Sequence, residues 1–232
     1  MPIRKLRLKI PGSIRLWVLL ATALLALSLF AKLAGELIES LGPQGAHEEL
    51  PAIDRAVYNF LIHFKSDFVT QTAIDITALG SVAVLTLFTV VFLIFLYGVK
   101  DRIGILHLLT AMTGAAALPN LLKHVFERSR PDISMHLVKV GDFSFPSGHS
   151  FGAAAAYFTF AFFAARYFTK LSLEIMSYLV ACTVILLVGL SRIYLGVHFA
   201  SDVAAGVCAG VAWSCIVSGA FIHFYQVEKT KS

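Results

Sequence analysis

Long apolar runs separated by short polar segments make up most of this chain from residue 14 onward. A helix needs roughly 20 mostly apolar residues to cross the hydrocarbon core of a bilayer. Six runs have about that length, and they lie at about 14–38, 70–98, 102–123, 147–166, 172–190 and 197–224. The pattern predicts an all-α, polytopic membrane protein with six transmembrane helices, in a single membrane-embedded domain that covers residues 1–232.

A further helix is expected between the first two spans, within about 39–69. Gly42, Pro43 and Gly45 interrupt the first helix there. Apolar residues then recur at helical spacing, with charged and polar residues such as Asp54 between them: Ile53, Val57, Phe60, Leu61, Phe64 and Phe68. This pattern predicts an amphipathic helix that lies in the membrane interface. Packing of the same helix against the bundle is compatible with that position.

Composition supports the membrane class and excludes others. The chain is 58% hydrophobic and 14% charged, whereas about 25% of the residues in a soluble domain are charged. Its net charge of +5 is not gathered on one soluble face, which argues against a nucleic-acid-binding protein. Cys182, Cys208 and Cys215 all lie inside apolar runs, so we interpret them as small buried apolar residues rather than disulfide partners or zinc ligands.

The distribution of basic residues predicts the orientation. Six spans put both termini on one side, and eleven of the 19 Lys and Arg residues lie on that side. Of the remaining eight, Lys123, Arg130 and Arg192 belong to polar segments at span ends. Because positive residues are retained in the cytoplasm, both termini are predicted to be cytoplasmic in a plasma (inner) membrane. The polar segments would then face the periplasm or the exterior.

Three polar segments interrupt the apolar pattern at or near span ends: Lys123–Pro131 (KHVFERSRP), Pro146–His149 (PSGH) and Ser191–Asp202 (SRIYLGVHFASD). Charged groups at such positions are costly unless they pair or function. Lysine and arginine suit phosphate oxygens, and the first N–H groups of a helix form an anion site. Together these features indicate a site for a phosphate group.

His198 and Asp202 are four residues apart, so on a helix they would share one face. A carboxylate there can hold one imidazole nitrogen and leave the other free to attack. Each segment alone also has a structural interpretation: a plain helix start, a satisfied core histidine, or cations that reach lipid headgroups. We assign Arg128 and Glu127 to that last class.

The three segments together resemble the signature of the type-2 phosphatidic acid phosphatase superfamily: Lys, six residues, Arg-Pro; then Pro-Ser-Gly-His; then Ser-Arg, five residues, His, three residues, Asp. The resemblance implies that His198 is the nucleophile and forms a phosphohistidine, that Asp202 orients it, and that His149 is the general acid. It also implies a phosphate-binding set: Lys123, Arg130, Ser147, Gly148 and Arg192.

The implied activity is metal-independent hydrolysis of a lipid phosphomonoester or pyrophosphate, with no cofactor. Three cations and a helix start can neutralise the charge of the transferred group without a metal ion. Undecaprenyl pyrophosphate, phosphatidylglycerol phosphate, phosphatidic acid and lipid A phosphate all fit the motifs. The expected partners are this lipid phosphate and the membrane lipids, with neither nucleic acid nor an obligate protein partner. A lipid phosphotransferase with the same phosphohistidine and a non-enzymatic anion-binding membrane protein are the alternatives.

Overall fold

Helices form along nearly all of the predicted apolar runs in a computed structural model of the chain, which describes residues 12–41, 52–168 and 170–231. The helix breakers at 42, 43 and 45, and the basic residues at positions 4, 5, 7 and 9, lie outside these ranges. The helices are α1 (Gly12–Leu41), α2 (Ala52–Ile62), α3 (Asp67–Ala78), α4 (Val82–Gly98), α5 (Arg102–Phe126), α6 (Gly148–Tyr167), α7 (Leu171–Tyr194) and α8 (Ala200–Lys231). A short 3₁₀ helix occupies Ile133–Met135. The all-α prediction is confirmed for the described residues.

Four of these helices are long and apolar enough to cross a membrane: α1, α5, α7 and α8. The helices α3 and α4 pass the same test as a pair, which makes up to five candidate spans. The number of six spans therefore stays a prediction. Many large apolar side chains on α1, α4 and α7 are exposed, as a lipid-facing surface requires.

The apolar run at about 70–98 was expected to be one helix, but it is two helices that meet at an angle of 44°. A new helix begins after Ser81, because the Ser81 side chain accepts a hydrogen bond from Val84 N and caps α4. At the break, Gly80 packs on the start of α6. A Cβ at this position would lie 3.0 Å from the main-chain oxygen of His149. The bend therefore places the α3–α4 connection beside a predicted site residue.

The centre of the bundle is α6, which packs against α4, α5, α7 and α8. Of its 20 residues, 13 are buried, including the run Ala153–Ala156. Small residues allow neighbouring helices to approach closely inside a membrane. Because the helix faces protein on most sides, it needs fewer large apolar residues. This explains why α6 is not among the helices that are apolar enough to be recognised as spans from their sequence.

Glycines on α8 set its distance from α6. A Cβ at Gly206 would lie 2.6 Å from Ser147 O, and one at Gly210 would lie 2.5 Å from Phe151 O. At the same interface, Ser147 N donates to Asp202 O at 3.0 Å. The close packing of α8 on the start of α6 thus joins two of the three polar segments.

The cysteine interpretation holds only in part. Cys215 is buried and Cys208 is half-buried, but Cys182 is exposed on α7. All three are free thiols. An exposed position on a helix with an apolar outer face suits a small side chain in contact with lipid.

Gly210→Ala is expected to reduce the free energy of unfolding by about 1–3 kcal/mol, because the added methyl group overpacks the α6–α8 interface. Thermal unfolding in detergent measures the change. Gly35→Ala is the matched control, since nothing lies within 4 Å of a Cβ at this position on α1. Equal unfolding temperatures for the two variants would contradict the packing argument.

Candidate active site

The three polar segments meet at one end of the bundle, where α5 ends and α6 begins. Lys123 lies in the last turn of α5, and Glu127 ends that helix in the left-handed conformation, with φ of 45°. A loop over 127–147 then returns the chain to the start of α6. The turn between α7 and α8, which carries His198, completes the site.

Gly196 allows this turn to be tight. Its φ is +71°, and a Cβ there would lie 2.2 Å from Met135 O, so no other residue fits without a shift. Leu137 N donates to Leu195 O at 3.0 Å and fixes the turn against the 127–147 loop. The turn therefore carries His198 back toward the start of α8.

His198 and Asp202 are paired, although His198 precedes α8 rather than sharing a helix face with Asp202. The Nδ1 atom of His198 lies 3.5 Å from Asp202 Oδ2. Ser144 Oγ donates to the same carboxylate oxygen at 2.5 Å, as does Phe199 N at 2.9 Å. On the other edge of the ring, Nε2 lies 3.2 Å from Arg130 Nη1. A carboxylate on Nδ1 favours the tautomer with an unprotonated Nε2.

Burial lowers the pKa of His198 to about 4, with the positive charges of Arg130 and Arg192 acting in the same direction. The hydrogen bond and the charge of Asp202 oppose this shift but are outweighed. The imidazole is therefore neutral at physiological pH. A neutral imidazole with an unprotonated Nε2 can act as a nucleophile once the Arg130 N–H beside it turns to a bound phosphate.

The predicted phosphate-binding cations lie within electrostatic reach of one another, and Arg130 contacts the His198 ring. Arg130 donates from Nη1 to Val197 O at 2.6 Å and from Nε to Asp142 O at 2.9 Å. Lys123 is buried and pairs with the Asp142 carboxylate. Arg192 is also buried, with Nη1 3.3 Å from Thr77 Oγ1.

The Nε atom of Arg192 is buried and has no hydrogen-bond partner among the described residues. A buried unpaired donor is costly, and a ligand can remove that cost. This unpaired donor makes Arg192 a candidate to bind an anion.

His149 lies in the first turn of α6, within electrostatic reach of all these groups: Lys123, Arg130, Arg192 and His198. It lines a cavity of about 260 Å³ together with Lys123, Asp142 and Gly148. Residues of α4 and α5 line most of the rest of that cavity, and most of them are apolar, such as Leu85 and Met112. A polar end next to an apolar space suits a phosphate joined to a hydrocarbon chain.

Ser147 and Gly148 open α6. The Ser147 side chain is buried and caps the helix, since Oγ accepts from Ser150 N at 3.4 Å and from Ser150 Oγ at 2.9 Å. The helix start leaves N–H groups without intrahelical partners, and these suit an anion. The structure thus brings the main chain at 147 and 148 to the site, with the Ser147 hydroxyl engaged in the cap.

Arg128 was expected at the membrane interface, but it is buried under the site. Its Nη1 atom donates to Asp202 Oδ1 at 2.5 Å and to Ser201 Oγ at 2.8 Å, and its Nη2 donates to Asp54 Oδ2 at 3.2 Å. Asp54, which was expected on the polar face of an interfacial helix, is also buried. It accepts from Ser201 N at 2.8 Å and so caps the start of α8.

Asp142 and Ser144 were not singled out from the sequence. Both lie in the loop just before PSGH, where no periodic pattern marks them. An acidic residue so close to a predicted phosphate site was the available signal, because a carboxylate beside cations is expected to pair with them.

Arg128→Met is expected to destabilise the protein by about 3–5 kcal/mol, since it leaves Asp54 and Asp202 as buried carboxylates without their cation. The unfolding temperature in detergent measures this. Arg102→Met, at an exposed position in the first turn of α5, is the control. An unchanged unfolding temperature for Arg128→Met would contradict the pairing.

Comparisons with known proteins agree with this geometry. The family model of the PAP2 superfamily matches residues 104–225. Phosphatidylglycerophosphatase B of Bacillus subtilis is 35% identical over 168 residues, which cover 72% of this chain and 82% of the relative. Lipid A 1-phosphatase of Rhizobium etli is 32% identical over 124 residues, 48% of either chain.

Two solved structures are similar. One is the crystal structure of a PAP2 type phosphatidylglycerolphosphate phosphatase from Bacillus subtilis, with a TM-score of 0.72 and 31% identity. The alignment covers 84% of this chain and 94% of that one. The other is LpxE of Aquifex aeolicus, with a TM-score of 0.56, 26% identity and coverage of 72% and 96%.

Proposed function

The chain belongs to the PAP2 superfamily and is a membrane lipid phosphatase, and we propose that it works through a phosphohistidine formed on His198. One observation carries this proposal. The imidazole of His198 is fixed at Nδ1 by Asp202 and Ser144, while its Nε2 faces the cation Arg130. A fixed neutral nucleophile beside positive charge is what phosphoryl transfer from an anionic lipid requires.

Binding comes first. Arg192, with its free Nε, would hold one phosphate oxygen, and Lys123 and Arg130 would hold others. The first N–H groups of α6, at Gly148 and His149, would complete the set. The hydrocarbon chain of the lipid would lie in the apolar part of the adjoining cavity. These contacts would bring the phosphorus next to Nε2 of His198.

Transfer and release then use the two histidines in opposite roles. Nε2 of His198 forms a bond to phosphorus as the bond to the leaving oxygen breaks. His149, which the bound phosphate anion would stabilise in its protonated form, gives that oxygen its proton. Neutral His149 next takes a proton from water, which attacks phosphorus and breaks the N–P bond. Inorganic phosphate leaves, and both histidines return to their starting states.

Positive charge for the transferred group comes from Lys123, Arg130 and Arg192, so the reaction needs no metal ion in this proposal. The motifs leave four candidate substrates: phosphatidylglycerol phosphate, phosphatidic acid, lipid A phosphate and undecaprenyl pyrophosphate. The names of the relatives, phosphatidylglycerophosphatase B and lipid A 1-phosphatase, support a glycerophospholipid or a lipid A phosphate first.

The topology is part of the same proposal. A single domain would cross the membrane six times, through α1, the bent pair α3–α4, α5, α6, α7 and α8. The distribution of basic residues supports cytoplasmic termini and a site at the outer face of the plasma membrane. Ile53 and Phe60 on α2 are exposed, which supports contact of that helix with the membrane interface.

His198→Ala is expected to reduce phosphate release by roughly 10³-fold or more, because the nucleophile is removed. Wild type should release phosphate from a panel of lipid phosphates in EDTA, with no added acceptor lipid. His63→Ala, an exposed histidine at the end of α2, is the control. Strict magnesium dependence would overturn the metal-free reaction. Transfer only to an added lipid would identify a phosphotransferase. Hydrolysis that survives His198→Ala would contradict the assignment of His198 as the nucleophile.

The pH dependence follows from the His198 pKa of about 4. Above that pH the imidazole is neutral and can attack; as the pH falls through about 4 it gains a proton and loses its lone pair. NMR titration of ¹³C-labelled histidine, with the His198 signal assigned from the His198→Ala variant, should show a midpoint near 4. A midpoint near the ordinary histidine pKa of about 6.5 would contradict the desolvated, cation-flanked environment.

A further inference from the structure

Asp142 occupies the hydrogen-bond donors that a phosphate would use. Its carboxylate accepts from Lys123 Nζ through Oδ2 and from Arg130 Nη2 through Oδ1. Its main-chain oxygen accepts from Arg130 Nε at 2.9 Å. The side chains of Lys123 and Arg130 are only 8% and 10% exposed, whereas that of Asp142 is 53% exposed. The carboxylate therefore covers the two cations from the solvent side.

These contacts leave few N–H groups of Arg130 free to bind an anion. Its Nε atom donates to Asp142 O, its Nη1 atom to Val197 O and His198 Nε2, and its Nη2 atom to the Asp142 carboxylate. A phosphate that binds Lys123 and Arg130 must take donors from that carboxylate. Because Asp142 lies on a loop and is half exposed, its side chain can turn toward solvent. The ligand and the carboxylate thus compete for the same cations.

Asp142 also sets the charge of the pocket. Burial raises its pKa, but the hydrogen bonds and charges of Lys123 and Arg130 outweigh burial and hold that pKa below its ordinary value. The carboxylate is therefore ionised at neutral pH. It therefore offsets one of the three positive charges of Lys123, Arg130 and Arg192, and the two that remain match the charge of about −2 on a phosphomonoester at that pH.

A lipid diphosphate does not match this balance. Its second phosphate carries additional negative charge and links the reacting phosphate to the hydrocarbon chain. The cavity that would take this chain is lined by Asp142 together with His149. A displaced Asp142 would remain at the rim of the cavity and repel the second phosphate. Like charges placed together in this way cost several kcal/mol at interfaces.

We propose that Asp142 makes the site selective for lipid phosphomonoesters over lipid diphosphates, by competing for Lys123 and Arg130 and by fixing the net charge of the pocket. This inference rests on the proposed phosphatase activity. It distinguishes the two substrate classes that the motifs leave open.

The test compares wild type with Asp142→Asn, which keeps the shape of the side chain and removes its charge. Asp132→Asn is the matched control: it removes one negative charge from the same loop, but Asp132 is exposed and its carboxylate accepts from Ser134 N at 2.8 Å. The full chain in detergent with EDTA is assayed on farnesyl phosphate and farnesyl diphosphate, which share one hydrocarbon chain. Inhibition by inorganic phosphate and by pyrophosphate is measured in parallel.

Wild type is expected to have the higher kcat/KM on the monophosphate. Asp142→Asn should shift the ratio of the two kcat/KM values toward the diphosphate by roughly tenfold or more, mainly through KM. Both inorganic anions should inhibit it at lower concentration, pyrophosphate with the larger change. Asp132→Asn should leave the ratio and both inhibition constants at their wild-type values.

An unchanged ratio in Asp142→Asn, or weaker inhibition by phosphate, would overturn the proposal and indicate a carboxylate that only holds the two cations in place. If the variant fails to fold, the two kcat/KM values of wild type test the proposal. A higher kcat/KM on the diphosphate than on the monophosphate would contradict it. Failure of the proposed function is distinct from these outcomes, since it appears as hydrolysis that survives His198→Ala.

Discussion

The carboxylate of Asp202 must be compensated, because it is fully buried at the end of a helical bundle. A buried charge is tolerated only with a partner and with its remaining lone pairs satisfied. Arg128 supplies the charge, and Ser144, Phe199 N and His198 supply the hydrogen bonds. Since Arg128 also binds Asp54 on α2, this one carboxylate connects α2, the 127–147 loop, the α7–α8 turn and α8.

This pairing divides the positive residues of the site between two tasks. Arg128 pairs with the buried carboxylates, whereas Arg130 and Arg192 lie within electrostatic reach of the His198 ring and Lys123 pairs with Asp142. The same arrangement keeps the imidazole neutral, because burial and the nearby cations outweigh the attraction of Asp202. One charge network therefore provides both the neutral nucleophile and the cations that would stabilise the transferred phosphoryl group.

The helical class could be read from the sequence because apolar periodicity is a local pattern, and the meeting of the three polar segments could be expected because each lies at a span end. Apolar periodicity marks most helices, and the spacing of Lys123, His149 and His198 relative to span ends brings them to one end of the bundle. The break at Gly80–Ser81 was missed because two short apolar helices in succession read as one long run. Arg128 and Asp142 were missed because their partners are fixed by the path of an aperiodic loop: Arg128 pairs with residues 74 positions away on either side.

The most direct measurement is a rapid acid-free quench of the enzyme during turnover of a ³²P-labelled lipid phosphate, followed by mapping of the labelled peptide. The account predicts a base-stable, acid-labile phosphoryl group on His198 that forms and decays within turnover and is absent from His198→Ala. Label on any other residue, or turnover with no covalent phosphoryl enzyme, would contradict it.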